Sequence, residues 1–243
     1  MHDARPPYQA PNDLPDSVAA SIIGVQRMRA ALFDMDRTLI RVDTARLYTQ
    51  FRRDQGEASL RDVMQVAWWA MQYTAGVIDA PRVAAQALSR FRGKAEAWLI
   101  EQTEGWFKEY VLPEVQQAGR EAVKRHHDQG DVVGIATGAT IYAARPLARE
   151  LGIDLVICTE LEIDREGLFT GRVVDPICYR EGKLERSRLA AERLGFKLEE
   201  SVFYSDSITD VPLLEAVKEP VIVNPDKRLK KVAQARKWRI EQW

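Results

Sequence analysis

The sequence is short of the features that would mark a secreted, zinc-binding or membrane-spanning protein. It holds two cysteines in 243 residues, Cys158 and Cys178, too few for a disulfide framework and without the spacing of a zinc site. They read as free, buried thiols in a reducing compartment. No sign of charge dominates, because 35 lysine and arginine residues face 36 aspartate and glutamate residues for a formal net charge of -1. Such a balance gives no broad field to attract nucleic acid or an anionic membrane, so an anionic ligand must be held by a local site. Long apolar runs are missing as well. The stretch from Val63 to Ile78 is broken by Gln65, Gln72, Thr74 and Gly76 and falls short of the roughly 20 residues a membrane span needs. The N-terminus has no apolar signal core, and a cytoplasmic location with no stable membrane association is expected. Of the few histidines, His126 and His127 stand beside Asp128 and Gln129 and read as a solvated helix end.

What is present is a globular composition, 46% hydrophobic and 29% charged, in a length that suggests one large domain or a core with a smaller module. Pro6, Pro7, Pro11 and Pro15 make residues 1–24 a flexible leader. Five short apolar runs read as buried strands: Ala30 to Phe33, Val132 to Ala136, Leu155 to Cys158, Val202 to Tyr204 and Val221 to Val223. Helical periodicity fills Glu114 to His127, Ile141 to Leu151, Lys183 to Leu194 and Asp210 to Val217, with Gly130, Gly152 and Gly195 as stops. The alternation predicts an α/β fold with a doubly wound, mostly parallel sheet.

From Thr44 to Tyr110 the alternation lapses into helical patterning rich in large residues, including Trp68, Trp69, Tyr73, Phe91, Trp98, Trp106 and Phe107. This stretch reads as a helical insertion after the first strand, and its aromatics at helical spacing read first as packing. The expected division is a core of residues 25–43 and 112–243 with a helical cap of 44–111. Leu161 to Val174 suggests a hairpin turning at Arg165-Glu166-Gly167. The basic stretch Lys227 to Arg239 reads as a closing helix.

Chemistry is concentrated where strands end. Asp34-Met35-Asp36-Arg37-Thr38-Leu39 follows the first strand, the place where open α/β sheets put ligands. One carboxylate of such a pair can attack phosphorus while the other protonates the leaving oxygen and later activates water. An Asp-x-Asp is also common in surface turns, but here it follows a fully apolar run, where uncompensated carboxylates would be expensive. The second strand runs into Ala136-Thr137-Gly138-Ala139-Thr140, whose hydroxyl and amides could hold phosphate oxygens or simply cap a helix. The fourth ends in Tyr204-Ser205-Asp206-Ser207-Ile208-Thr209-Asp210, and its acids suit a hard cation such as Mg2+ or a capped helix start. Lys183, in Glu181-Gly182-Lys183, could neutralise an attacking aspartate and a phosphate, or solvate a surface.

In order, Phe33 to Leu39, Thr137, Lys183 and Asp206 with Asp210 resemble the four motifs of the haloacid dehalogenase superfamily of phosphohydrolases, over roughly Arg29 to Pro225. The insertion resembles the small helical cap of its phosphoserine-phosphatase-like branch, subfamily IB. That resemblance implies a Rossmann-like Mg2+-dependent phosphatase for a small phosphorylated substrate. Asp34 would be nucleophile and metal ligand, and Asp36 general acid and base with its carbonyl on the metal. Thr137 and Gly138 would bind phosphate, Lys183 would steady Asp34 and the phosphoryl group, Asp206 would ligate Mg2+, and Asp210 would support from behind. The chain departs from the family's pattern at Arg37, where a small or amide residue is usual, and at Ser205, where glycine is common and little change is expected. Asp43 stands where phosphoserine phosphatases have a glutamate. Arg37 and Asp43 are therefore candidate substrate contacts, and phosphoserine is not assigned as the substrate. A phospholipid head group is an alternative substrate, and a receiver domain or a silent binding protein are the non-enzymatic readings.

Overall fold

The computed structural model describes residues 28–57 and 88–243. The expected leader and the residues Trp68, Trp69 and Tyr73, with the weakly polar stretch around them, lie outside the described residues. Strand β1, Ala30–Phe33, has all four residues fully buried, as a central strand covered on both faces must be. Around it stand β2 (Val132–Thr140), β3 (Leu155–Ile163), β4 (Phe169–Val174), β5 (Val202–Ser205), β6 (Glu219–Val223) and β7 (Arg239–Glu241). The sheet order is β4-β3-β2-β1-β5-β6-β7. Every neighbouring pair is parallel except β3 with β4, which form an antiparallel hairpin. This is the α/β, mostly parallel, Rossmann-like architecture that the sequence predicts.

Period-two alternation along β1 divides the core in two. Ala31 and Phe33 join the buried cluster containing Met35, Trp106, Ile135 and Tyr204, whereas Ala30 and Leu32 join the one containing Phe203, Leu213 and Ile222. Helices cover both faces: α1 (Thr44–Asp54), α2 (Glu96–Trp106), α3 (Gln117–Asp128), α4 (Ile141–Leu151), α5 (Glu181–Leu194), α6 (Val211–Ala216) and α7 (Lys227–Arg236). Gly152 and Gly195 close α4 and α5 in the left-handed conformation. No helix among the described residues is long and apolar enough to cross a membrane.

Three expectations need correction. The closing helix ends at Arg236, because Lys237 turns left-handed (φ 57) and Arg239–Glu241 pairs with β6 as a seventh strand. The helix expected from Glu114 starts at Gln117, since Leu112–Glu114 is a 3-10 turn around Pro113. His126 is not solvated. It is 6% exposed, with Nδ1 2.7 Å from Asp131 Oδ2 and Nε2 2.9 Å from the Tyr204 hydroxyl.

Where described, the segment between β1 and β2 is helical. Its aromatic residues pack: Trp106 and Phe107 are buried, and Phe91 and Trp98 lie against the core. Glycine and lysine amides stitch it to the β3–β4 hairpin, with Gly93 N donating to Phe169 O at 2.8 Å and Phe169 N to Lys94 O at 2.9 Å. Its entry and exit run side by side. Ile40 bridges Val115, Arg41 N donates to Glu114 O at 3.0 Å, and Gln116 N donates to Leu39 O at 2.9 Å.

Candidate active site

Parallel pairing fixes which residues leave the sheet together. Phe33 is opposite Ile135 on one side and Tyr204 on the other, so Asp34, Ala136 and Ser205 stand level, with Thr137 and Asp206 one residue beyond. The Asp34 amide donates to Tyr204 O at 2.8 Å, which carries the β1–β5 pairing up to Asp34.

Lys183 joins this edge from the first turn of α5. Arg180 precedes the helix with φ 51, and a Cβ on Gly182 would lie 2.1 Å from Ile177 O. Only glycine fits that crossing of chain, which presses the helix start onto the preceding loop. Lys183 Nζ then donates to Asp34 Oδ1 at 2.9 Å and to Asp210 at 2.7–2.8 Å. All three side chains are nearly inaccessible, at 5%, 9% and 2% exposure. Ser205 Oγ adds a 2.7 Å hydrogen bond to Asp210 Oδ2. Ser205, where glycine is common in the family, thus adds a hydroxyl donor to Asp210.

Asp36 is turned elsewhere. Its Oδ1 accepts from Thr44 N at 2.8 Å and its Oδ2 from Thr44 Oγ1 at 3.1 Å, so Asp36 satisfies the first amide of α1. Asp43 sits at the N-cap position but makes no cap hydrogen bond, because its carboxylate is drawn to Arg37 at 2.8 and 3.2 Å. Arg37 itself holds φ 58, and both partners are partly exposed at the rim. Arg37 and Asp43 thus engage each other and do not contact the Asp34–Lys183 pair. Thr137 is 1% exposed, and its Oγ1 accepts from Ala139 N at 3.1 Å; Gly138 is exposed.

Electrostatics follow from three buried carboxylates, Asp34, Asp206 and Asp210, of which Asp34 and Asp210 contact the one ammonium. Burial pushes Asp34 up to about 7 against the opposing pull of Lys183. Burial also raises Asp36 to about 6, although the Thr44 amide and hydroxyl favour its charged form. Asp206 is driven well above the usual carboxylate range by burial and by the charges of Asp34 and Asp210. Burial alone would lower Lys183, yet Asp210 and Asp34 hold it well above its ordinary value. Asp206 accepts no side-chain hydrogen bond among the described residues.

That deficit of positive charge suits a hard cation. Asp34 and Asp206 offer two carboxylates, the donor type Mg2+ prefers. No group of three or more His, Cys, Asp or Glu side chains among the described residues is gathered as a metal cage. A third protein ligand would have to come from the backbone, which fits Mg2+ because it commonly retains waters and substrate oxygens.

Thr44 was missed by sequence reasoning. Asp43-Thr44 before a helical run signals a cap, but by Asp43, and nothing local announces that Asp36 takes its place.

The chain belongs to the haloacid dehalogenase-like hydrolases, whose family model matches residues 31–215. Phosphoserine phosphatase SerB1 of Mycobacterium tuberculosis is 32% identical over 95% of this chain and 77% of its own. Histidinol-phosphatase of Neisseria meningitidis is 30% identical over 86% of this chain and 96% of its own. Among solved structures, a Bordetella pertussis Tohama I protein of unknown function superposes with a TM-score of 0.80 at 31% identity, covering 88% of this chain and 98% of the other. A phospho-aspartyl intermediate analogue of phosphoserine phosphatase, at 20% identity and a TM-score of 0.66, covers 88% of this chain and 93% of the other and shares its fold.

Proposed function

We propose that this haloacid dehalogenase-family enzyme is a Mg2+-dependent phosphatase that acts on a small phosphorylated metabolite, phosphoserine-like or an amino alcohol phosphate, through a phosphoaspartate on Asp34. The observation that carries the reading is the buried Asp34–Lys183–Asp210 contact at the carboxyl ends of β1 and β5. Lys183 orients one oxygen of Asp34 and, being fixed as a cation by Asp210, offsets the charge of an incoming phosphoryl group. Thr137 and the Gly138 amide hold phosphate oxygens in this reading. The free Asp34 oxygen attacks phosphorus as the bond to the alcohol oxygen breaks, and Asp36 gives its proton to that oxygen. Water then attacks the phosphoaspartate, Asp36 takes the water's proton, and phosphate leaves with Asp34 restored. An Asp36 pushed up to about 6 suits both halves of the cycle near neutrality.

Mg2+, held by Asp34, Asp206 and the Asp36 carbonyl, would supply charge neutralisation for the phosphoryl oxygens. Asp210 acts by holding Lys183, and Arg37 with Asp43 borders the side where the alcohol lies. A reducing cytoplasm is the proposed setting, in keeping with buried, free Cys158 and Cys178. The phospholipid alternative rests on aromatic residues in the insertion, and those described pack inward.

The test is phosphate release from a panel of phosphomonoesters with and without Mg2+, by wild type and Asp34→Asn. The expected result is Mg2+-dependent release that the substitution abolishes. Equal rates for the two proteins would sink the proposal.

A further inference from the structure

Strand β2 leaves the ladder just where it reaches the site. Ala136 is opposite Ile157 and Thr140 is opposite Thr159, so three residues, Thr137 to Ala139, face Cys158 alone. A bulge of this kind frees the turn from sheet hydrogen bonds and re-aims it, and something else must then hold it. Thr159 Oγ1 donates to Gly138 O at 2.9 Å, from a residue only 1% exposed. The same oxygen accepts from Cys178 N at 3.3 Å. Cys178 O lies 3.4 Å from where a Cβ on Gly138 would stand, so the bulge and the Cys178 loop are close neighbours as well as bridged through Thr159. That loop includes Ile177, whose carbonyl forces glycine at 182 and so sets the start of the helix carrying Lys183.

We propose that Thr159 is a positioning residue whose single hydroxyl ties the Thr137–Gly138 turn to the loop that aims Lys183. A hydroxyl can donate once and accept twice, and here it does one of each, between two segments that no ladder connects. The bond from Cys178 N is buried and the one to Gly138 O partly so, and loss of the hydroxyl leaves the buried Cys178 amide without that acceptor. Two groups that must converge on one phosphoryl unit are thereby held to a common reference. The inference rests on the phosphatase reading for its catalytic consequence, but the brace itself is a property of the fold.

Thr159→Val keeps the β-branched shape and removes both hydrogen bonds, whereas Thr159→Ser keeps them. Thr103→Val serves as control, because Thr103 is equally buried and its hydroxyl bonds only to helix carbonyls, at Leu99 and Ile100. The expected outcome for Thr159→Val is a fall in kcat of about 10-fold or more with KM changed far less, and weaker inhibition by vanadate. Thr159→Ser should recover most of the loss, and Thr103→Val should lose thermal stability without that kcat change. Amide hydrogen exchange gives a readout independent of turnover: Thr159→Val should lose protection at both Ala139 and Lys183. Wild-type kcat and vanadate inhibition in Thr159→Val, or faster exchange at Ala139 with Lys183 unchanged, would overturn the brace. A wild-type protein inactive on every phosphomonoester sinks the functional reading instead, and the exchange pattern still decides the brace.

Discussion

Two polar clusters flank the centre of the sheet, one buried and one partly exposed, and they are built on opposite principles. At the carboxyl ends of β1 and β5, Asp34 and Asp210 contact Lys183 with Asp206 beside them, and burial first, then the charge of neighbouring carboxylates, pushes Asp34 and Asp206 up. Toward the other end, Arg29 donates to Asp131 Oδ1 at 2.8 Å and to Gln129 at 2.9 Å. Asp131 Oδ2 meets His126 Nδ1, and His126 Nε2 meets the Tyr204 hydroxyl. There each acceptor has its donor, burial holds His126 below its ordinary value and neutral, and Phe33 stacks on Tyr204 with ring centroids 4.5 Å apart. A matched cluster stabilises a fold, and an unmatched one is ready for a ligand.

The contrast can be broken most severely at Asp34, the proposed nucleophile. Asp34→Asn should lower turnover by more than about 10⁴-fold while leaving the melting temperature unchanged or higher, since it removes a carboxylate that burial disfavours; steady-state kinetics and calorimetry check both. Asp210→Asn releases one side of Lys183 and should cost about 10- to 100-fold in kcat, measured under saturating substrate.

Mg2+ affinity sharpens the comparison through pH. An Asp34 held near 7 keeps its proton in the metal-free protein as pH falls, and the cation must displace it. Affinity should therefore fall as pH drops below about 7, by up to roughly tenfold per pH unit for each carboxylate proton the cation displaces, as titration calorimetry would record.

The smallest effect on turnover belongs to the matched cluster. His126→Phe should destabilise by about 2 kcal/mol, because Asp131 and Tyr204 each lose a partner, with kcat within about 3-fold of wild type. Here the sign of the pH dependence is that of a depressed histidine. Its contribution is complete above about pH 6.5, the unfolded value, and is lost as pH falls below it, when the unfolded chain takes up the proton first. Thermal melts across pH 5–8 should show this acid-side decline in wild type and less of it in the variant.

Much of this was legible in the residues. Ala30 to Phe33 is apolar throughout because both faces of β1 are covered, and the acids after it are conspicuous for that reason. Strand β7 escaped detection because three residues beside a lysine- and arginine-rich helix carry too little pattern, and only its pairing with β6 defines it. Thr159 escaped because a threonine in a buried strand looks like any β-branched filler until the bulge beside it is seen. The partners of Asp36 and Asp43 escaped for a related reason: the choice between two aspartates seven residues apart depends on where Arg37 points, which the left-handed turn decides.

The side-by-side chains at Leu39–Arg41 and Pro113–Gln116 also bear on how such proteins diversify. Because departure and return are neighbours in hydrogen bonding, the whole excursion between them spans only about one interstrand distance, near 5 Å. A different module, or a tight loop, can be spliced across that gap without moving any strand of the sheet, so the length of chain between them is free to change while the order and pairing of the strands stay as they are.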